Sequence, residues 1–301
     1  MPIILPKDLP CIERLQKEGL QVSDSVPPGI VPIRIILLNL MPQKEDAEME
    51  FYRMLSYSSL HIQIILAKMS HLTYKTTPQA YMDRFYTDIQ ALMTQHFEGM
   101  IITGAPLEHL LFEEVSYWEQ LKSVFRWTQL HIRSTLFVCW GAQAALYSLF
   151  RVPKFWLHHK MFGVYEQTPR DLSLPIFRGF DSHFNMPQSR HTEVRLQDMK
   201  YVKELDILAE SPISGAGIIS AFDGREFFVT GHLEYSRDRL DFEYRRDINK
   251  GLPIHPPYHY YEDDDPEKPV RISWRAHAHL FYTNWVTYYV NNPKLDKLPI
   301  Q

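Results

Sequence analysis

Cysteine is scarce in this chain: two occur in 301 residues, at positions 11 and 139. So few exclude a disulfide framework and point to a reducing, cytoplasmic setting. No apolar run reaches the about 18 residues that a membrane span needs. The opening stretch, MPIILPKDLPCIERL, holds too short an apolar segment for a signal peptide, and charges soon interrupt it. Charge of one sign is not in excess, with 32 Lys and Arg against 36 Asp and Glu. A general attraction to nucleic acid or anionic membrane is therefore not expected. Zinc-type Cys/His spacings and His-Glu-x-x-His are absent, so no metal site is expected. The acidic run EDDDP (262–266) reads as a solvated loop. Internal repeats and low-complexity segments are also missing. What remains is a chain with 45% hydrophobic residues, enough for one large core.

The apolar residues are patterned. IRIILLNL (33–40) is nearly continuous, as in a strand covered on both faces. EDAEMEFYRMLS (45–56) follows at helical spacing. HIQIILAKM (61–69) reads as a strand and residues 81–93 as a helix. GMIITGAP (99–106) reads as a strand, EEVSYWEQLKSVFRW (113–127) as a helix, STLFVC (134–139) as a strand and AQAALYSLF (142–150) as a helix. This alternation predicts an α/β fold with an open, mostly parallel sheet and helices on both faces. Residues from about 150 to 200 break the pattern and are expected as insertions over one end of the sheet. GIISAF and EFFVTG restore strands, residues 236–250 a charged amphipathic helix, and residues 274–290 a last helix. Between those helices, LPIHPPYHYYEDDDPEKP reads as a proline-rich loop. No clean linker appears, so residues 1–301 are expected to form a single domain.

LFVCWGAQAAL (136–146) places Cys139 between a strand and small residues that open a helix. That is the layout of a nucleophile elbow. The turn lifts the side chain to the carboxyl end of the sheet, where open α/β folds hold their ligands. The free N–H groups of the helix start favour a thiolate and can hold an oxyanion. A lone cysteine is more often an inert core residue, and this stretch alone leaves the two readings balanced. EFFVTGHLEYS shifts the balance, ending a second strand with His232 and, two residues on, Glu234. A histidine can take the thiol proton, and a carboxylate behind it fixes its tautomer.

Cys139, Gly141 and Gln143 followed by His-x-Glu resemble the class I glutamine amidotransferases, and imply their fold over about residues 33–250, with extensions packed on it. A closer resemblance spans nearly the whole chain. LNLMP, TGAP, FVCWGAQAAL, SRHTE, GHLEYS and WRAHAHLFYTNW occur in the order of the homoserine O-acyltransferase family. The family's usual residue between His and Glu is Pro or Ser, whereas Leu233 stands here.

The resemblance implies a ping-pong acyltransferase of methionine biosynthesis. Cys139 is then the acyl-thioester nucleophile, His232 the general base and Glu234 its support. Lys160, Ser189 and Arg246 match substrate-binding positions, with Arg246 suited to grip a carboxylate. Backbone N–H groups of Leu40, Met41 and Trp140 are expected to form the oxyanion hole. Glu108 matches the position at which glycine accompanies succinyl-CoA and glutamate accompanies acetyl-CoA in the family. A carboxylate there would repel a succinyl carboxylate. The substrates implied are acetyl-CoA and L-homoserine, with no resident cofactor, and a homodimer is implied as well. Succinyl-CoA as donor and serine as acceptor remain alternatives, and a stand-alone glutaminase is a further one. His158, His159, His183 and His191 receive no role.

Overall fold

The computed structural model describes residues 2–297. In chain order its elements begin with β1 (Ile3–Ile4), α1 (Ile12–Lys17), β2 (Val22–Ser23), β3 (Ile33–Leu38), α2 (Lys44–Leu55) and β4 (Ile62–Lys68). They continue with α3 (Gln79–Phe85), β5 (Thr87–Asp88), α4 (Ile89–Leu92), β6 (Phe97–Ile102), α5 (Trp118–His131), β7 (Ile132–Val138) and α6 (Trp140–Phe150). Then come β8 (Phe155–Pro169), β9 (Phe184–Glu193), α7 (Leu196–Met199), β10 (Leu205–Ser211), β11 (Gly215–Ala221), β12 (Glu226–Val229), α8 (Arg239–Asn249) and α9 (Arg275–Trp285).

The strands form one sheet in the order β2-β1-β4-β3-β6-β7-β12-β11-β10-β8-β9, with β5 beside β4. From β2 to β12 the neighbours are parallel, and from β12 to β9 they are antiparallel. Alternation along the central strands explains their continuous apolar runs. Ile35, Leu37, Leu136, Val138, Phe227 and Val229 enter one core, with Phe51 and Tyr52 of α2 and Phe281 and Trp285 of α9. Ile36, Leu38, Phe137 and Phe228 enter the other, with Leu121 and Phe125 of α5 and Trp140 of α6. Each strand is thus apolar on both faces because helices cover both. Because β3, β6, β7 and β12 are parallel neighbours, Leu38, Ile102, Val138 and Val229 all end on one rim.

Two expectations are corrected. The helix expected over residues 81–93 is two short helices, α3 and α4, split by β5. The chain turns extended at Tyr86, just past the first, and Asp88 caps the second: it pairs with Lys68 of β4, and its side chain accepts the Gln90 N–H at 2.9 Å. The stretch from 150 to 200 contains two long antiparallel strands, β8 and β9, which extend the sheet. The expected last helix is α9 continued as a wider π turn over Val286–Val290. A third, smaller core of Phe162, Val164, Tyr235, Leu240, Tyr244, Tyr260, Tyr261 and Trp274 joins β8 to α8 and the proline-rich loop. It holds α8 over the rim. No helix of the described residues is long and apolar enough to cross a membrane.

Candidate active site

Cys139 stands between β7 and α6 with φ 50° and ψ −116°, a strained conformation for a residue with a side chain. The neighbouring loop after β6 makes room for this turn. A Cβ on Gly141 would lie 2.6 Å from the Thr103 carbonyl oxygen, so only glycine fits there. A Cβ on Gly104 would lie 3.3 Å from Cys139 Cβ and 3.7 Å from the Trp140 nitrogen. The β6 loop is therefore pressed against both the Cys139 Cβ and the start of α6. The sharp turn anticipated from the sequence is present.

His232 follows β12 and is locked in place from β9. Its N–H donates to the Pro187 carbonyl at 2.8 Å. A Cβ on Gly231 would meet Gln188 Nε2 and the Pro187 oxygen at 2.6 Å, which keeps the two segments in close contact. His232 Nδ1 lies 2.7 Å from Glu234 Oε1, and the Cys139 sulfur acts electrostatically on the imidazole. Cys139, His232 and Glu234 are all buried. Tyr235 stacks on the imidazole with ring centroids 4.0 Å apart. Burial opposes a charge on His232, but the Cys139 sulfur and the Glu234 carboxylate outweigh it. The imidazole holds its proton well above its usual range. The i, i+2 spacing thus pairs the imidazole with its carboxylate, on the same cavity wall as the sulfur.

Cys139, His232 and Tyr235 border a cavity of ≈ 430 Å³ that Glu108, Lys160, Ser189, His191, Glu243 and Arg246 also line. Glu243 organises the far wall. It accepts from the Ser189 hydroxyl at 2.5 Å and the Tyr235 hydroxyl at 3.1 Å. Lys160 Nζ lies 3.5 Å from Glu243 and 3.4 Å from Asp247, and 4.1 Å above the Phe162 ring. Burial alone would raise Glu243, but Lys160, the Ser189 hydroxyl and Arg239 hold it below the usual carboxylate range. Arg246 donates through Nε to Asp247 Oδ1 at 2.7 Å. Its guanidinium is only partly buried and retains donors for a ligand.

Glu108 lies in the loop after β6, half-buried. Lys154 pins this loop by donating to the Glu108 carbonyl at 3.0 Å and the Leu110 carbonyl at 2.7 Å. Burial pushes the Glu108 carboxyl up, against the pull of His109, His232 and Lys160.

The oxyanion assignment is revised. The Leu40 N–H already donates to Thr103 Oγ1 at 2.8 Å and the Met41 N–H to Asn39 Oδ1 at 3.1 Å. Both are occupied in holding the β3 loop. Trp140 begins α6, where the N–H has no intrahelical partner. The Gly104 backbone comes close to the nucleophile. Sequence reasoning also missed Glu243, Asp247, Tyr235 and Arg239. The signal available was the spacing of Arg239, Glu243, Arg246 and Asp247, which share one face of α8. Among the described residues, no group of three His, Cys, Asp or Glu side chains could hold a metal ion.

Fold and site together define a class: a glutamine amidotransferase-like α/β protein with Cys, His and Glu at its strand ends. The fold is similar to that of a glutamine amidotransferase from Thermotoga maritima, with a TM-score of 0.57 at 10% identity over 87% of this chain and 100% of that one. It is also similar to a glutamine amidotransferase from Methylobacillus flagellatus, with a TM-score of 0.53 at 12% identity over 86% and 95%. The sequence narrows the class. The model of the family described as homoserine O-succinyltransferase matches residues 2–294, and the chain belongs to that family of acyltransferases. Curated relatives include the homoserine O-acetyltransferase of Bacteroides thetaiotaomicron, 48% identical over 96% of each chain. That of Brevibacillus brevis is 46% identical over 96% of each, and that of Geobacillus kaustophilus 44% identical over 96% of this chain and 97% of its own.

Proposed function

We propose that this chain moves an acetyl group from acetyl-CoA to the hydroxyl of L-homoserine, through a thioester on Cys139, in methionine biosynthesis. His232 takes the thiol proton, and the sulfur attacks the acetyl carbonyl. The Trp140 N–H and the Gly104–Ala105 backbone face the developing oxyanion. When the intermediate collapses, the CoA sulfur leaves with the proton from His232. The bare imidazole then takes the homoserine hydroxyl proton as that oxygen attacks the thioester, and returns it to Cys139 as the ester departs. Arg246 binds the amino-acid carboxylate, and Glu243, held ionised by Lys160 and Ser189, is the anion available to the ammonium.

The observation that carries the choice of donor is the Glu108 carboxyl in the same cavity as Cys139 and His232. It occupies space and places negative charge where the end of a succinyl group would lie. Acetyl-CoA is a co-substrate here, not a resident cofactor. The proposal includes a cytoplasmic homodimer, which sedimentation velocity and cell fractionation test.

The deciding experiment is intact-protein mass spectrometry after mixing with acetyl-CoA, succinyl-CoA or glutamine. One acetyl group added with acetyl-CoA, and lost when homoserine is supplied, supports the proposal. Ammonia release from glutamine with no acyl adduct would replace it with a glutaminase.

A further inference from the structure

Lys154 stands on the short connection between α6 and β8 and has no part in the chemistry above. The nucleophile helix stops at Arg151, which takes the left-handed conformation with φ 61°. The Val152 N–H turns back onto the Leu146 carbonyl at 3.3 Å, and Pro153 cannot continue the helix. This turn brings the Lys154 side chain to the loop after β6. Its Nζ donates to the Glu108 carbonyl at 3.0 Å and to the Leu110 carbonyl at 2.7 Å. The same ammonium lies 4.5 Å from the centre of the Phe112 ring.

The loop is firm at its two ends and exposed between them. At one end the Gly104 backbone packs on Cys139. At the other, the Leu111 N–H donates to Glu114 Oε2 at 2.8 Å, and Phe112 is buried. The Phe112 ring centre lies 5.3 Å from that of Trp118, 5.0 Å from that of Tyr147 and 5.8 Å from that of Trp140. Trp140 and Tyr147 belong to α6, so this end is fixed to the nucleophile helix. Between the ends, His109, Leu110 and Leu111 are exposed. Backbone hydrogen bonds join Leu107 to Ala105 at 2.8 Å and Leu110 to Leu107 at 3.1 Å, and neither closes on Glu108. The ammonium grips the segment at Glu108 itself, with charge-assisted bonds stronger than those between neutral groups.

We propose that Lys154 is a positioning residue for donor choice: by holding the Glu108 and Leu110 carbonyls, its ammonium fixes where the Glu108 carboxylate stands in the acyl pocket. This rests on the reading of Glu108 as the group that turns a succinyl chain away. Exclusion by charge and by volume works only while both are held in place. Burial disfavours the ionised form of Glu108. A released loop therefore carries the carboxylate outward, toward water, and opens the space it filled. Lys154 touches neither Cys139 nor the groups on α8 that face the amino acid, so its effect is confined to the acyl side of the cavity.

The test is competition between acetyl-CoA and succinyl-CoA in the full chain, read as the ratio of their kcat/KM values. Lys154→Met keeps the apolar stem over Phe112 and removes the ammonium. It should raise the ratio of succinyl to acetyl transfer by at least about threefold, with the KM for homoserine unchanged. The same substitution made in Glu108→Gly should move that ratio by less than about 1.5-fold, because no carboxylate is left to misplace. An equal loss with both esters, or a raised homoserine KM with no change in ratio, would make Lys154 a purely structural tie and overturn the proposal. So would the same rise in ratio with and without Glu108. Glu108→Gly alone is the control on the underlying reading. If it leaves the ratio unchanged, that reading fails and this proposal with it. If it shifts the ratio and Lys154→Met does not, only this proposal fails. If Lys154→Met does not fold, Lys154→Gln takes its place. Its side chain is shorter and uncharged, so the ratio should still rise, and an unchanged ratio would overturn the proposal.

Discussion

Replacing Glu108 by glycine should change which CoA ester the enzyme uses. A succinyl carboxylate in the wild-type cavity would meet the Glu108 carboxylate. Two like charges about 4 Å apart repel by about 4 kcal/mol at an effective dielectric of 20, and by about 1 kcal/mol in water. Glu108 is half-buried beside a cavity that opens to solvent, so the value lies between these limits. Burial also raises its proton affinity, and the protonated fraction does not repel. About 1.4–2 kcal/mol of discrimination remains, which is roughly ten- to thirtyfold in the ratio of succinyl to acetyl transfer. Glycine removes both the charge and the volume. Acetyl transfer should fall as well, because a small acyl group sits loosely in the enlarged site. The assay is competition between the two esters for wild type and Glu108→Gly. A second arm uses pH. The Glu108 pKa is raised, so the carboxyl becomes neutral as pH falls through that value. Wild-type discrimination against succinyl-CoA should therefore weaken toward acid, while that of Glu108→Gly should not change. An unchanged donor ratio in the variant would place Glu108 outside the acyl pocket and remove the basis for acetyl-CoA as donor.

Burial pushes the Cys11 thiol up to about 12, with Glu48 adding to the effect. Iodoacetamide at neutral pH should therefore modify Cys139 and spare Cys11; Cys139→Ala should abolish transfer and Cys11→Ser should not, as peptide mapping and activity will show. Arg246→Ala should raise the KM for the amino acid at least about tenfold while Cys139 is still acetylated by acetyl-CoA; loss of acetylation with an unchanged KM would refute its role. Glu226 is buried, and its carboxyl is raised from 4.5 to about 8. The folded state then binds the extra proton across that window, so this group lowers stability as pH rises, by up to about 1.4 kcal/mol per pH unit. Glu226→Gln should flatten that decline and raise the Tm at pH 8; a steeper decline in the variant would show that the ionised carboxylate is stabilising.

The parallel half of the sheet was legible because its strands are apolar on both faces. Ile35 and Ile36 enter opposite cores, as do Leu136 and Phe137, and a run of such residues has few other places to go. Cys139 and His232 were legible for a related reason: each sits just where such a run stops, and parallel neighbours stop on the same rim. Of the antiparallel half only β11 was, as GIISAF; β8, β9 and β10 were not. β8 reads FWLHHKMFGVYEQTP, and its alternation fails at His158–His159. The ladder shows why. Trp156 pairs with Thr192 and Met161 with Arg190, so four residues of β8 stand opposite the single His191. A bulge of this kind re-aims the side chains within it. Lys160 is the last residue of the bulge, and its ammonium reaches Glu243 and Asp247 on α8. A regular strand would have shown its period in the sequence and kept Lys160 in the ladder. The irregularity that concealed β8 is the one that brings Lys160 to the cavity wall and keeps Glu243 ionised there.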